Sequence, residues 1–102
     1  MNVAFEISIN ENFAVVDFAL DGIIAPDVLN GLSPPDPVQE NFAHLGVVLS
    51  GRGPIWLYGF LVHFYHPTKW VATHDPRVQG AVIVASHTPE IEVGTLIHFQ
   101  KK

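Results

Sequence analysis

Four short stretches of this chain carry side chains able to do chemistry: Ser50-Gly51-Arg52-Gly53-Pro54, His63-Phe64-Tyr65-His66, His74-Asp75-Pro76-Arg77 and Ser86-His87-Thr88. Guanidinium groups and glycine-rich backbone suit phosphate oxygens, while imidazole and carboxylate suit a divalent ion. The background makes the clustering informative. Residues 1–51 hold seven Asp or Glu and no Lys or Arg; Arg52, Lys69 and Arg77 then arrive together with His63, His66, His74 and His87. An acidic chain that gathers its cationic and metal-capable groups in this way is building a local anion site.

Each stretch also has a plainer reading. Ser50 to Pro54 joins the end of a strand to the start of a helix, where free N–H groups and the helix dipole attract anions. The glycines let backbone approach a phosphate, and Arg52 adds a two-pronged contact; the same residues also make a sharp turn with a solvated arginine. His63 and His66, three apart on a helix, can share a metal or phosphate, or cap the helix C-terminus. Asp75 and Arg77 can serve a metal and a phosphate, or pair with each other in an Asp-Pro turn. His87 can be a third imidazole or a proton donor to a leaving oxygen, or a structural histidine at a strand end. Trp56, Phe60 and Trp70 are read as core; Trp70 or Tyr58, where exposed, can stack a base.

Composition narrows the class. The 102 residues suffice for one domain, 1–102, with one core. Nearly half are apolar and there is no Cys, which excludes disorder, disulfides and thiolate zinc sites. No apolar run is long enough to span a bilayer, and no basic segment precedes Glu6 as in a signal peptide. The expectation is a soluble, cytoplasmic protein with no membrane partner. A net charge of −5 argues against general binding of long nucleic acid, and leaves a small phosphorylated ligand open.

The elements that must position these groups follow from periodicity and punctuation. Val3, Phe5, Ile7 and Ile9 alternate with polar or small residues as in a half-buried strand; Asn10-Glu11-Asn12 is a turn, and Phe13 to Leu20 returns as a hairpin partner. Pro26 opens a short helix that Gly31 closes, and Ser33 to Pro37 is a loop. Leu45 to Leu49 reads as a strand covered on both faces. Pro54 takes the first position of a helix from Ile55 to about Tyr65, stopped by Pro67. Strands over 69–73, 80–86 and 93–99 complete the chain, the first in a right-handed parallel crossover. The fold class is α/β, with a mixed sheet of about six strands, one main helix and one short helix. In parallel sheets ligands gather at the strand carboxyl ends, and Ser50–Arg52, Asp75–Arg77 and Ser86–His87 each follow a strand.

In order, Ser50-Gly51-Arg52-Gly53-Pro54-Ile55-Trp56-Leu57, Phe60 to His66, Asp75-Pro76-Arg77, Gly80-Ala81-Val82 and Ser86-His87 resemble the signature of a small Csx-type CRISPR-associated family, whose members are manganese-dependent ring nucleases of type III systems. The resemblance covers residues 50–87. It implies a phosphodiesterase that opens cyclic tetra-adenylate to linear di-adenylate and so switches off antiviral signalling. By the same resemblance His66, Asp75 and Arg77 are catalytic, and His66, Asp75 and His87 surround Mn2+. Ser50, Gly51, Arg52 and Gly53 grip the ligand. Dimers are implied, two of them sandwiching the ligand into a tetramer. Two other readings use the same site: a manganese-dependent exoribonuclease trimming adenylate tails of single-stranded RNA, and a sensor that binds cyclic oligoadenylate without cutting it.

Overall fold

The computed structural model describes residues 2–100. The chain begins as the alternation requires. Strands β1 (Val3–Ile9) and β2 (Phe13–Leu20) form an antiparallel hairpin with Val3 opposite Leu20 and Ile9 opposite Ala14. The Asn10 side chain fixes the turn, its Oδ1 accepting from the N–H groups of Asn12 at 2.8 Å and Phe13 at 2.9 Å. Strand β3 (Gly46–Ser50) lies parallel to β2, and β4 (Trp70–Asp75) parallel to β3. Strands β5 (Gly80–Ser86) and β6 (Leu96–His98) then add antiparallel, so the six strands lie side by side in chain order.

The crossover from β3 to β4 is helix α1 (Ile55–Phe64), with Pro54 as its N-cap, one position before the expected place. Ala14, Val16, Val47, Leu49 and Val71 face α1 and pack with its Leu57 and Leu61. The opposite face carries a second cluster of Val48, Trp70, Ala72, Ala81 and Ile83, covered by Ile91, Ile97 and Phe99. Strand β3 is therefore buried on both faces, as its unbroken apolar run requires. Full burial of each large aliphatic side chain contributes about 1.5–3 kcal/mol.

Two expected elements are altered. The short helix is a 3-10 segment, Pro26–Gly31, lacking a side-chain cap. The last strand is confined to Leu96–His98 because Gly94, at φ +95°, turns the preceding residues out of the extended conformation. The Pro-rich loop is tied down: Pro34 and Pro37 are buried, and the Tyr65 hydroxyl donates to the Pro35 carbonyl at 2.8 Å. Among the described residues no helix is long and apolar enough to cross a membrane.

Two positions test this packing. A Cβ on Gly46 would fall inside the buried Trp70 indole. Gly46→Ala is therefore expected to cost about 1–3 kcal/mol in urea denaturation. Burial, helped by nearby Asp36, pushes the Tyr65 phenol above its ordinary value of 10.0. The folded state thus holds this proton more tightly than the unfolded chain, so the Tyr65 contribution is intact below pH 10 and falls as pH rises beyond it. Tyr65→Phe should cost about 1 kcal/mol at neutral pH and make stability less sensitive to pH above 10, as read by denaturation at stepped pH.

Candidate functional site at two edges of one sheet

Strands β2, β3 and β4 run the same way, so Ser50 and Asp75 leave the sheet at one edge. There the chain turns through Gly51-Arg52-Gly53 into α1. A Cβ on Gly51, which has φ +153°, would stand 2.5 Å from the Phe18 carbonyl oxygen and 2.8 Å from its ring, and one on Gly53 would stand 2.9 Å from that ring. The glycines are there because β2 comes this close. The Tyr58 hydroxyl, one turn into α1, donates to the Gly51 carbonyl at 2.6 Å and holds the loop from the helix side. Burial, with a smaller push from the charge of Asp17, raises this phenol above its usual range.

The resulting hollow has a volume of about 560 Å³ and is lined by Gly51, Arg52, Gly53, Ile55, Tyr58, Thr73, His74 and Asp75. A second, of about 210 Å³, adjoins it and shares Gly51, Arg52 and His74. Arg52 is exposed and engages no carboxylate among the described residues. Ser50 is only 1% exposed, and its Oγ lies 3.2 Å from His74 Nδ1, so its hydroxyl is committed to the wall of the hollow. Asp75 caps the 3-10 turn Pro76–Val78 and pairs with Arg77, Nη2 to Oδ2 being 2.9 Å. Hydrogen bonds from the Arg77 side chain, then from its backbone, hold the Asp75 carboxyl below its ordinary range; the same contact raises Arg77.

His66 and His87 stand at the other edge. Helix α1 ends at Phe64, so His66 lies in the turn beyond it, and the imidazole beside it is that of His87, with ring centroids 4.5 Å apart. Strand β5 brings His87 here: it runs antiparallel to β4, and its last residue, Ser86, pairs with the first of β4, Trp70. The His87 backbone N–H donates to the Lys69 carbonyl at 2.9 Å, and Nδ1 lies 3.2 Å from the Thr68 carbonyl. A carbonyl can only accept, so Nδ1 carries a proton; in the neutral ring the lone pair then lies on Nε2, the nitrogen a metal would use. Thr68 is itself buried, its Oγ1 donating to the Tyr65 carbonyl at 2.7 Å.

The expected ligand set of His66, Asp75 and His87 is thus divided within one chain. Five strand steps along β4 separate its ends by about 17 Å. Among the described residues no three His, Asp or Glu side chains of one chain gather closely enough to hold a metal. Of the three groups expected at strand carboxyl ends, the two after β3 and β4 share an edge; the third does not, because β5 returns. Tyr58 and His74 are the members of the hollow that the motifs understate. His74 had a signal, since it directly precedes Asp75 at the end of a strand.

Over residues 17–98 the chain matches the family model described as CRISPR-associated protein (Cas_csx3). It belongs to that family. An uncharacterized protein of Aquifex aeolicus (strain VF5) is 50% identical over 92 residues, covering 90% of this chain and 83% of the relative. The Cas_csx3 match takes in the Gly51–Gly53 loop, Asp75–Arg77 and both edge histidines.

The Tyr58–Gly51 bond can be tested apart from any ligand. Tyr58→Phe should preserve the fold, cost about 1 kcal/mol, and speed amide hydrogen exchange selectively over residues 51–53.

Proposed function

We propose that this protein is a manganese-dependent ring nuclease that opens cyclic tetra-adenylate to linear di-adenylate and so terminates type III CRISPR signalling. The observation that carries this reading is the division of labour between the two edges. One has a hollow, glycines that bring backbone to its rim and an arginine that engages no carboxylate among the described residues, and the other a pair of neighbouring imidazoles. Each is half of a phosphodiesterase centre. Copies of the chain stacked head to tail around a ligand place the halves against each other, and a symmetric assembly supplies every group more than once. Two dimers sandwiching a cyclic tetranucleotide meet that requirement.

In this arrangement Gly51, Arg52 and Gly53 grip the phosphates, with His74 and Ser50 forming the wall behind them. Tyr58 and Ile55 offer apolar surface to the bases. His66 and His87 fit a divalent ion as neutral nitrogen donors, one of them with its tautomer already set by the Thr68 carbonyl. Bound there, manganese would neutralise charge developing on the scissile phosphate. Asp75 and Arg77 of a facing chain stand at the same phosphate.

Incubating the protein with cyclic tetra-adenylate, with and without manganese, and separating the products by chromatography tests the reading. Linear products only with manganese are expected. His66→Ala and His87→Ala should each slow cleavage at least ~100-fold, while Arg52→Ala should chiefly weaken binding. Intact ligand after prolonged incubation would leave a sensor; faster trimming of linear adenylate RNA in direct competition would leave an exoribonuclease.

A further inference from the structure

Asp75 is spent on Arg77. Its Oδ1 accepts from both the backbone N–H of Arg77 at 3.0 Å and Nε at 3.1 Å, and its Oδ2 accepts from Nη2 at 2.9 Å. A carboxylate has about four acceptor positions, so one residue occupies three of them. The turn that makes this possible is rigid at both ends. Pro76 fixes its first φ, and Gln79, at φ +54°, closes it by donating its N–H to the Pro76 carbonyl at 3.2 Å.

The consequence falls on Arg77. Its side chain is 88% exposed, so packing does not hold it; the two-pronged contact with Asp75 does. That contact uses Nε and one hydrogen of Nη2. The other three N–H groups form the outer edge of the guanidinium, the edge that takes phosphate oxygens two at a time. A metal ion drawing on the same carboxylate would loosen this fork and return Arg77 to a freely rotating chain.

The geometry points to Asp75 as a positioning residue that acts through Arg77, orienting its guanidinium for a phosphodiester, and not as a ligand of the metal. This rests on the ring-nuclease reading and redistributes its parts: the metal belongs to the histidine edge, and the Asp75–Arg77 pair to phosphate recognition.

Two titrations separate the roles. Manganese affinity is measured on the full-length protein, with and without cyclic tetra-adenylate, for wild type, Asp75→Asn, Arg77→Lys and His66→Ala. Affinity for cyclic tetra-adenylate is measured in the His66→Ala background, where the ligand stays whole. Asp75→Asn is expected to bind manganese within twofold of wild type and to weaken ligand binding about tenfold. Arg77→Lys should weaken it similarly, and the double variant should be no weaker than either single one, because both remove the same oriented fork. The Arg77 Nε–H resonance should be protected from exchange in wild type and lose that protection in Asp75→Asn. A tenfold loss of manganese affinity in Asp75→Asn but not in Arg77→Lys would make Asp75 a ligand and overturn the proposal; so would additive losses of ligand affinity. Should Asp75→Asn fail to fold, Arg77→Lys decides, since it leaves the carboxylate in place: unchanged ligand affinity there overturns the proposal. Wild-type protein that binds no cyclic tetra-adenylate would instead sink the ring-nuclease reading itself.

Discussion

Strand direction is the constraint on which the rest of this molecule depends. Strands β2, β3 and β4 run parallel, and β5 turns back against β4. Parallel neighbours need a crossover, and α1 is the one between β3 and β4, so the Gly51–Gly53 turn that feeds it must lie at the same edge as the end of β4. An antiparallel neighbour needs only a short turn, so β5 begins beside Asp75 and delivers His87 to the far edge, next to His66. Reversing β5 alone would carry His87 away from His66 to the edge that holds Asp75, without altering a residue.

At both edges side chains secure the backbone around the candidate residues. Tyr58 holds the Gly51 carbonyl, Asp75 holds the turn containing Arg77, and Thr68 fixes the bend between His66 and β4 while its carbonyl sets the proton on His87. Loops with little secondary structure of their own can present groups reproducibly only when their polar atoms are satisfied in this way. The core supplies the other half of the restraint, because Phe18 presses on Gly51 and Gly53 from below and leaves the loop little freedom to collapse.

The charge distribution suits this division. A net charge of −5 weakens nonspecific attraction to long nucleic acid, and Arg52 is an exposed cation that engages no carboxylate among the described residues. Membership of the Cas_csx3 family places the chain among CRISPR-associated proteins.

Much of the fold was legible in the residues. The period-two alternation of Val3 to Ile9, the unbroken apolar run of β3, and the punctuation by Asn10, Pro54 and Pro67 are local signals, each acting over a few residues. The glycine turn between β3 and α1 was legible for the same reason, as was the Asp75–Arg77 pair, whose members are two residues apart. Gly94 shows the limit: it was read inside a strand, and its left-handed conformation ends that strand early. Other features needed the tertiary structure. No short window of sequence encodes the direction in which β5 pairs, so nothing local could reveal that His87 meets His66 and not Asp75. Nor could Ser50 be known to be buried against His74, or Tyr58 to face the hollow, before the sheet and α1 were packed. The sequence by itself determined the elements, the turns and the kinds of chemistry available. Tertiary structure decided which groups share an edge, because strand pairing joins residues far apart in the chain and is settled by burial of the whole sheet.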